Sequence, residues 1–308
     1  MQQVPSILVI GSSNTDMVIK ADKFPLPGET ILGGTFFMFP GGKGANQAVS
    51  AARLDGRVTL ITKIGNDIFG KQALQQFQRE GIRTEFIMED AEHPSGVALI
   101  TVDAKGENTI VVAQGANAFL TTEDLISTKN EIEVHAILLM QMEIPLTTIL
   151  YAAKIAVQKR LKVILNPAPA TTLPAEIYGM LYLITPNKSE AEVLSEIKIT
   201  DNASIDTAAK KLKEKGVQNV IITLGSRGAY LLTEAGGRFI DSPHVKAIDT
   251  TAAGDIFNGA LAVAIAEEKD LYAAVNFANQ AAAISVTKMG AQASAPFRNE
   301  LEETTLIQ

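Results

Sequence analysis

The chain contains no cysteine, which removes disulfides, thiolate zinc sites and cysteine nucleophiles from consideration. Histidine is scarce. His93, His135 and His244 lie far apart with no ligand spacing, so each reads as a surface or structural residue, not as a metal ligand or catalytic base. Clusters of Lys and Arg are also missing, and the formal net charge is −7. That balance argues against nucleic acid or an anionic membrane as the main partner. No apolar run approaches the ~20 residues that span a bilayer. Residues 259–266 fall well short, and no basic segment precedes the short apolar run 7–10. A cytoplasmic protein is the expectation.

What remains is ordinary for a globular enzyme: 308 residues, 46% hydrophobic and 20% charged, enough to bury a substantial core. Short apolar runs recur at residues 7–10, 58–61, 136–140, 163–165, 181–184 and 220–224, with helix-period segments such as 146–159 and 204–215 between most of them. Strand alternating with helix predicts an α/β fold: a doubly wound, mostly parallel sheet with helices on both faces. Ligands then bind beyond the carboxyl ends of the strands. Two regions break the rhythm. Residues 14–40 alternate without a good helix, and residues 97–102 and 109–112 flank the turn Asp103-Ala104-Lys105-Gly106-Glu107, a hairpin signature. Together, over about 14–40 and 96–113, they predict a small antiparallel sheet that serves as a lid, a dimer surface, or both. No linker separates independent units, so residues 1–308 read as one domain.

The most informative stretch is Asp249-Thr250-Thr251-Ala252-Ala253-Gly254-Asp255, with a helix-like run behind it. Small residues at a helix start leave backbone N–H groups and the positive end of the helix dipole open to an anion. A carboxylate beside an anion site suits phosphoryl transfer to a hydroxyl. Asp255 would accept the proton while the amides of Ala252, Ala253 and Gly254 hold the developing charge. An ordinary capped helix gives the same local sequence.

Other strand ends carry ligand-type residues. Asn14 and Asp16, two apart on an extended segment, point the same way and could grip adjacent hydroxyls, or be a solvated strand end. Gly41-Gly42-Lys43-Gly44-Ala45-Asn46 opens a helix, its glycines allowing the backbone to approach a ligand and Lys43 and Asn46 bringing donors. It is not a Walker motif, and Gly11 begins no dinucleotide fingerprint. Glu143 follows the run 136–140. Asn187 and Glu190 share one side of an opening helix, placed either to hold hydrated Mg²⁺ and phosphate oxygens or simply to cap it. Thr223-Leu224-Gly225-Ser226-Arg227-Gly228 could lie against a nucleotide or form a plain turn. The coincidence of these segments fits electrostatic positioning of phosphates, not nucleophilic catalysis.

Taken together, these motifs resemble those of the carbohydrate and nucleoside kinase family that contains ribokinases, fructokinases and adenosine kinases. The likeness runs from Gly11-Ser12-Ser13-Asn14-Thr15-Asp16 to Gly290-Ala291-Gln292, and Asn166-Pro167-Ala168-Pro169-Ala170 is similar to the ribokinase branch. The resemblance implies an ATP-dependent kinase that phosphorylates the 5-hydroxyl of D-ribose, with Asp255 as general base. It implies that Asn14, Asp16, Gly42, Lys43, Asn46 and Glu143 hold the pentose. Asn187, Thr223, Gly225, Ser226, Gly228, Gly254 and Asn279 would contact ATP, and Glu190 would help to order Mg²⁺ through water. It also implies a K⁺ site with oxygens from Asp249, Thr251, Ser285, Lys288, Gly290 and Ser294, mostly carbonyls, and a homodimer formed through the lid. Ile256 stands where many relatives have Thr or Cys, and it is expected to point into helix packing. The remaining readings are another sugar or nucleoside, a non-catalytic sensing protein on the same fold, and a nicotinamide dehydrogenase, against which the missing fingerprint speaks.

Overall fold

The computed structural model describes residues 6–128 and 135–305, so residues 1–5, 129–134 and 306–308 of the expected domain lie outside the described residues. Strands β1 (Ser6–Ile10), β2 (Asn14–Lys20), β3 (Thr35–Gly41), β4 (Arg57–Gly65), β5 (Ile87–Asp90), β6 (Gly96–Val102) and β7 (Asn108–Ala113) occupy the first third of the chain. They are followed by β8 (Ile137–Met140), β9 (Lys162–Leu165), β10 (Leu183–Ile184), β11 (Asn219–Thr223), β12 (Ala229–Thr233) and β13 (Gly236–Ile240). The helices are α1 (Lys43–Arg53), α2 (Ile68–Arg79), α3 (Thr122–Ser127), α4 (Leu146–Gln158), α5 (Ala175–Tyr178), α6 (Lys188–Ser195), α7 (Asn202–Glu214), α8 (Ala253–Ala266), α9 (Leu271–Ser285) and α10 (Arg298–Thr305).

Nine strands form one sheet in the order β13-β12-β11-β10-β9-β8-β1-β4-β5. From β11 to β5 every pairing is parallel, and β12 and β13 close one edge antiparallel. The period of two explains the layering. Ile7 and Val9 face one side, where helices α1, α8 and α9 cover them. Leu8 and Ile10 face the other, under α4, α6 and α7. Both cores are closed, with each fully buried Ile or Leu contributing about 1.5–3 kcal/mol relative to exposure.

The second sheet has the order β3-β2-β6-β7. The expected turn is there: Asp103 N–H donates to Glu107 C=O and Gly106 N–H to Asp103 C=O, both at 3.0 Å. One expectation fails. The lid is not wholly antiparallel, because β2 and β6 pair in parallel from Asn14↔Gly96 to Lys20↔Val102, while β2–β3 and β6–β7 are antiparallel. β2 continues from the end of β1, and β6 follows β5, so both leave the main sheet at its carboxyl edge in the same direction. Each then folds back as its own hairpin partner. The alternation puts Asn14 and Asp16 on the face turned to the main domain. Ile19, Phe36, Met38 and Leu99 lie on the other face, at 45–58% exposure.

Candidate active site

Three glycines set up the site in a way the sequence pattern does not anticipate. Gly42 caps α1 at φ 88°, and a Cβ there would lie 2.6 Å from the Asn14 nitrogen. A Cβ on Gly44 would meet Gly11 at 2.6 Å, and one on Gly41 the Asp16 carboxylate at 2.3 Å. The Gly-Gly-Lys-Gly run therefore lets the helix start approach the β1–β2 junction and Asp16 closely. That closeness allows Glu143, just past β8, to accept from Ser12 Oγ (2.5 Å) and from Lys43 N–H (3.0 Å) through Oε2. A carboxylate at the positive end of α1 is favourably placed, and Oε1 is left for a ligand.

Asn14, Val112, Gln114, Asn117, Met142, Glu143 and Pro169 line a cavity of about 230 Å³ between lid and main sheet. Buried Asn117 pins this region. Its Oδ1 accepts Ser13 N–H (2.9 Å), and its Nδ2 donates to Asn14 Oδ1 (2.8 Å), so Asn14 is oriented by a residue that no sequence motif singles out. Asp16 is half-buried. Burial first, then the neighbouring Glu143 and Asp255 carboxylates, push its pKa up to about 6, against the pull of Lys43. The Asp255 carboxylate, more than those of Glu143, Glu190 and Asp16, holds the Lys43 ammonium above the usual lysine range, while burial opposes it.

Asp255 lies in the first turn of α8 and is buried. Asn46 Nδ2 donates to its Oδ2 and Gln47 Nε2 to its Oδ1, each at 2.9 Å. Asn46 Oδ1 is buried without a protein partner, an orphan acceptor of the kind a sugar hydroxyl would satisfy. The turn before Asp255 is tight, with Ala252 left-handed at φ 58°. Of the three amides expected to face an anion, that of Ala253 is turned back to Thr250 C=O at 3.3 Å. Left-handed Ala252 folds the turn onto itself, and Ala252 and Gly254 remain as the better donors. A Cβ on Gly254 would point into open space. Ile256 is fully buried in the core, as expected.

A second cavity, about 410 Å³, opens beside this turn. Asn187, Thr223, Gly225, Ser226, Gly228, Gly254 and Asn279 all line it. His244, Val245 and Ala247 line it too; His244 is exposed, in keeping with the surface reading, and its place at this cavity is what the sequence does not show. It escapes a reading of the sequence because the loop after β13 has no periodic signal. Glu190 is not part of the lining. Asn187 and Glu190 form a reciprocal capping box on α6, Glu190 N–H to Asn187 Oδ1 at 2.9 Å and Asn187 N–H to Glu190 Oε2 at 2.8 Å. The capping reading therefore holds, and it leaves Asn187 Nδ2 and Glu190 Oε1 free of these bonds. Burial raises the Glu190 pKa, against the bond from Asn187 N–H and the Lys43 charge.

The residues expected at a K⁺ site fall at the end of α9, where Ser285 is the last residue, and on loops that are stitched together. Ile248 N–H donates to Val286 C=O (2.7 Å), and Asp249 Oδ2 and Oδ1 accept from Gly290 N–H (2.9 Å) and Thr251 N–H (3.0 Å). Those bonds outweigh burial, which acts the other way, and keep Asp249 below the usual carboxylate range. Lys288 commits its ammonium to Glu300, so only its carbonyl could serve a cation, while Ser294 follows in the next loop. Among the described residues no cluster of three or more His, Cys, Asp or Glu could hold a metal.

A nine-stranded α/β sheet with a small sheet at its carboxyl edge, an anion-type turn and an adjoining buried carboxylate define a sugar kinase architecture. Residues 4–298 match the pfkB family of carbohydrate kinases, and the chain belongs to that family. It is 44% identical over 298 residues to a ribokinase of Haemophilus influenzae, covering 97% of both chains. It is 35% identical to a deoxyribokinase of Salmonella typhi, covering 96% of this chain and 97% of that one. Among solved structures, a ribokinase of Arabidopsis thaliana complexed with ribose and ATP superposes with a TM-score of 0.90 at 29% identity, covering 98% of each chain.

Proposed function

We propose that this protein transfers the γ-phosphoryl group of ATP to the 5-hydroxyl of D-ribose, giving D-ribose 5-phosphate and ADP. One observation carries the reading. The buried Asp255 carboxylate, held by Asn46 and Gln47 and coupled electrostatically to Asp16 and Lys43, directly follows the Ala253-Gly254 turn that lines the larger cavity. Full-length similarity to ribokinases supports ribose as the sugar.

In this account Asn14, Asp16, Gly42, Lys43, Asn46 and Glu143 hold the pentose. Asp16 and Glu143 accept hydroxyl protons, and Asn46 Oδ1 takes one more. Asp255 removes the proton of the 5-hydroxyl as its oxygen bonds to the γ-phosphorus and the bond to the ADP oxygen breaks. The amides of Ala252 and Gly254, at the positive end of α8, stabilise the charge that spreads over the phosphoryl oxygens. Lys43, kept charged by the carboxylates around it, adds to that field.

ATP lies along Asn187, Thr223, Gly225, Ser226, Gly228, Gly254 and Asn279. A lone carboxylate such as Glu190 fits Mg²⁺ that is held chiefly by phosphates and water. The oxygens of Asp249, Thr251, Ser285, Lys288, Gly290 and Ser294 are hard donors that fit K⁺, which would steady the turn before Asp255 and add positive charge near it. The protein works as one kinase domain in the cytoplasm, where ATP is made, and forms a homodimer through the apolar face of the lid.

The test is ADP release with Mg-ATP and K⁺ across D-ribose, 2-deoxyribose, fructose, adenosine and no sugar. Turnover highest with ribose and near zero without sugar is the expected outcome. Preference for 2-deoxyribose would move the protein to the deoxyribokinase side, and no turnover by folded protein would favour a sensing role.

A further inference from the structure

Behind Asp255 lies a chain of buried side-chain amides that the sugar-binding and nucleotide-binding roles do not use. The first polar residues beyond three neighbouring strands contribute to it: Gln141 after β8, Asn166 after β9 and Thr185 after β10. Gln47, on α1 and 0% exposed, joins them to the catalytic turn. Gln141 Nε2 donates to Gln47 Oε1 at 2.6 Å. Gln47 Nε2 donates to Asn166 Oδ1 at 3.0 Å and to Asp255 Oδ1 at 2.9 Å. Asn166 Nδ2 donates to the Thr185 carbonyl (3.2 Å), Thr185 Oγ1 to Asn258 Oδ1 (2.6 Å), and Asn258 Nδ2 to the Gly254 carbonyl (2.8 Å). The path closes one residue before the carboxylate from which it started.

The direction of every bond in this path follows from its ends. The Thr185 and Gly254 carbonyls can only accept. Asn166 must therefore present its NH₂ to Thr185 and its oxygen to Gln47, which must then present its own NH₂. Gln141 donates to the Gln47 oxygen and locks the same choice from the other side. One N–H of Gln47 is left, and it points at Asp255. Asn46 differs, because its second atom, Oδ1, is the orphan acceptor described above, so its bond to Asp255 Oδ2 is exposed to exchange when a sugar binds. The bond from Gln47 is not, since Gln47 is 0% exposed and its other amide contacts are made to Asn166 and Gln141.

We infer that Gln47, held by Gln141 and Asn166, is the positioning residue that fixes the Asp255 carboxylate for proton transfer. The inference rests on the reading of Asp255 as the base. A neutral amide suits this role, because its N–H orients the carboxylate and cannot itself compete for the proton. Burying three amides together, with Gln141 Oε1 left unpartnered, works against stability, and a fixed base is what the arrangement gives in return.

The experiment compares the full-length protein with Gln47→Met, which keeps side-chain length and removes the donor, and with Gln141→Met, which leaves Gln47 in place but frees it to rotate. For Gln47→Met we expect kcat to fall about 10- to 100-fold, within the range of general-base effects, with KM for ribose and ATP within about threefold. A crystal structure of Gln47→Met should show the Asp255 carboxylate turned from its wild-type orientation, with Asn46 Nδ2 as its remaining amide donor. Gln141→Met should shift both readouts in the same direction by less. That structural readout requires no turnover. An inactive wild type would therefore overturn the function while leaving this inference testable. Gln47→Met with kcat within twofold of wild type, a loss confined to KM, or an Asp255 carboxylate that keeps its wild-type orientation would each overturn the inference.

Discussion

Asp16 shows what a single residue in this site costs and supplies. Its carboxyl is pushed up to about 6 by burial and by Glu143 and Asp255. A raised carboxyl pKa means that the fold is favoured with the proton on. Stability from Asp16 is fully present below the unfolded value of 3.8 and is lost as pH rises through about 6. Asp16→Asn should therefore raise the melting temperature relative to wild type at pH 8 and lose that advantage near pH 4. Thermal melts at the two pH values check this, and an equal gain at both would refute the account of the shift. The same substitution should raise the ribose KM at least 10-fold and abolish the rise in KM that wild type shows as pH falls below about 6. At this scale the sequence is readable where a side chain follows a strand end, as with Asn14, Asp16 and Glu143, or opens a helix behind small residues, as with Asp255. Gln47, Asn117 and Asn166 escape as individual roles. Polar residues within small-residue helices and loops carry no periodic signal, and only tertiary structure turns them inward.

Among the elements, the pair α1 and α8 matters most. Their contact is close because Gly259 faces α1: a Cβ there would lie 2.6 Å from the Gln47 carbonyl and from Ser50. Ser50 Oγ donates to the Ile256 carbonyl at 3.0 Å across the same seam. Gly259→Ala must push the helices apart, at about 1–3 kcal/mol, and carry Asn46 and Gln47 away from Asp255. We expect a lower melting temperature together with a kcat loss larger than any change in ATP affinity; unchanged stability and kcat would show that the seam has slack. The main strands and the helices that cover them are legible from apolar runs, and the hairpin around Gly106 from its turn. The antiparallel pair β12–β13 is not, since Gly236-Gly237 opens β13 and weakens the strand pattern. β5 ends in Glu89-Asp90, which reads as a loop. The parallel pairing of β2 with β6 depends on where two distant segments leave the main sheet, and no local pattern encodes that. The cation loops are beyond reading from spacing because carbonyl oxygens belong to every residue.

For the whole molecule, each face of the lid serves a different end. Its inner face carries Asn14, Asp16 and Val112, of which Asn14 and Val112 line the smaller cavity. Its outer face shows Phe36 at 58%, Leu99 at 56% and Val111 at 69% exposure, an apolar surface that a second copy of the chain would cover. Leu99→Glu together with Phe36→Glu should convert a dimer to monomers in sedimentation velocity runs without loss of the folded main domain. Retention of the dimer would exclude this face as the interface. Closure of the lid should also keep water from the γ-phosphate, so ADP release without sugar is expected to be a small fraction of the rate with it.

The central claim, that Asp255 is the base of a sugar kinase, is tested most directly by Asp255→Asn, measured for turnover with ribose and ATP and for ribose binding by calorimetry. The amide keeps the shape and the contact with Asn46 or Gln47 but cannot take a proton. Ribose binding within a few-fold of wild type with kcat reduced on the order of 10²-fold or more is the predicted result. Full turnover by Asp255→Asn would contradict the account.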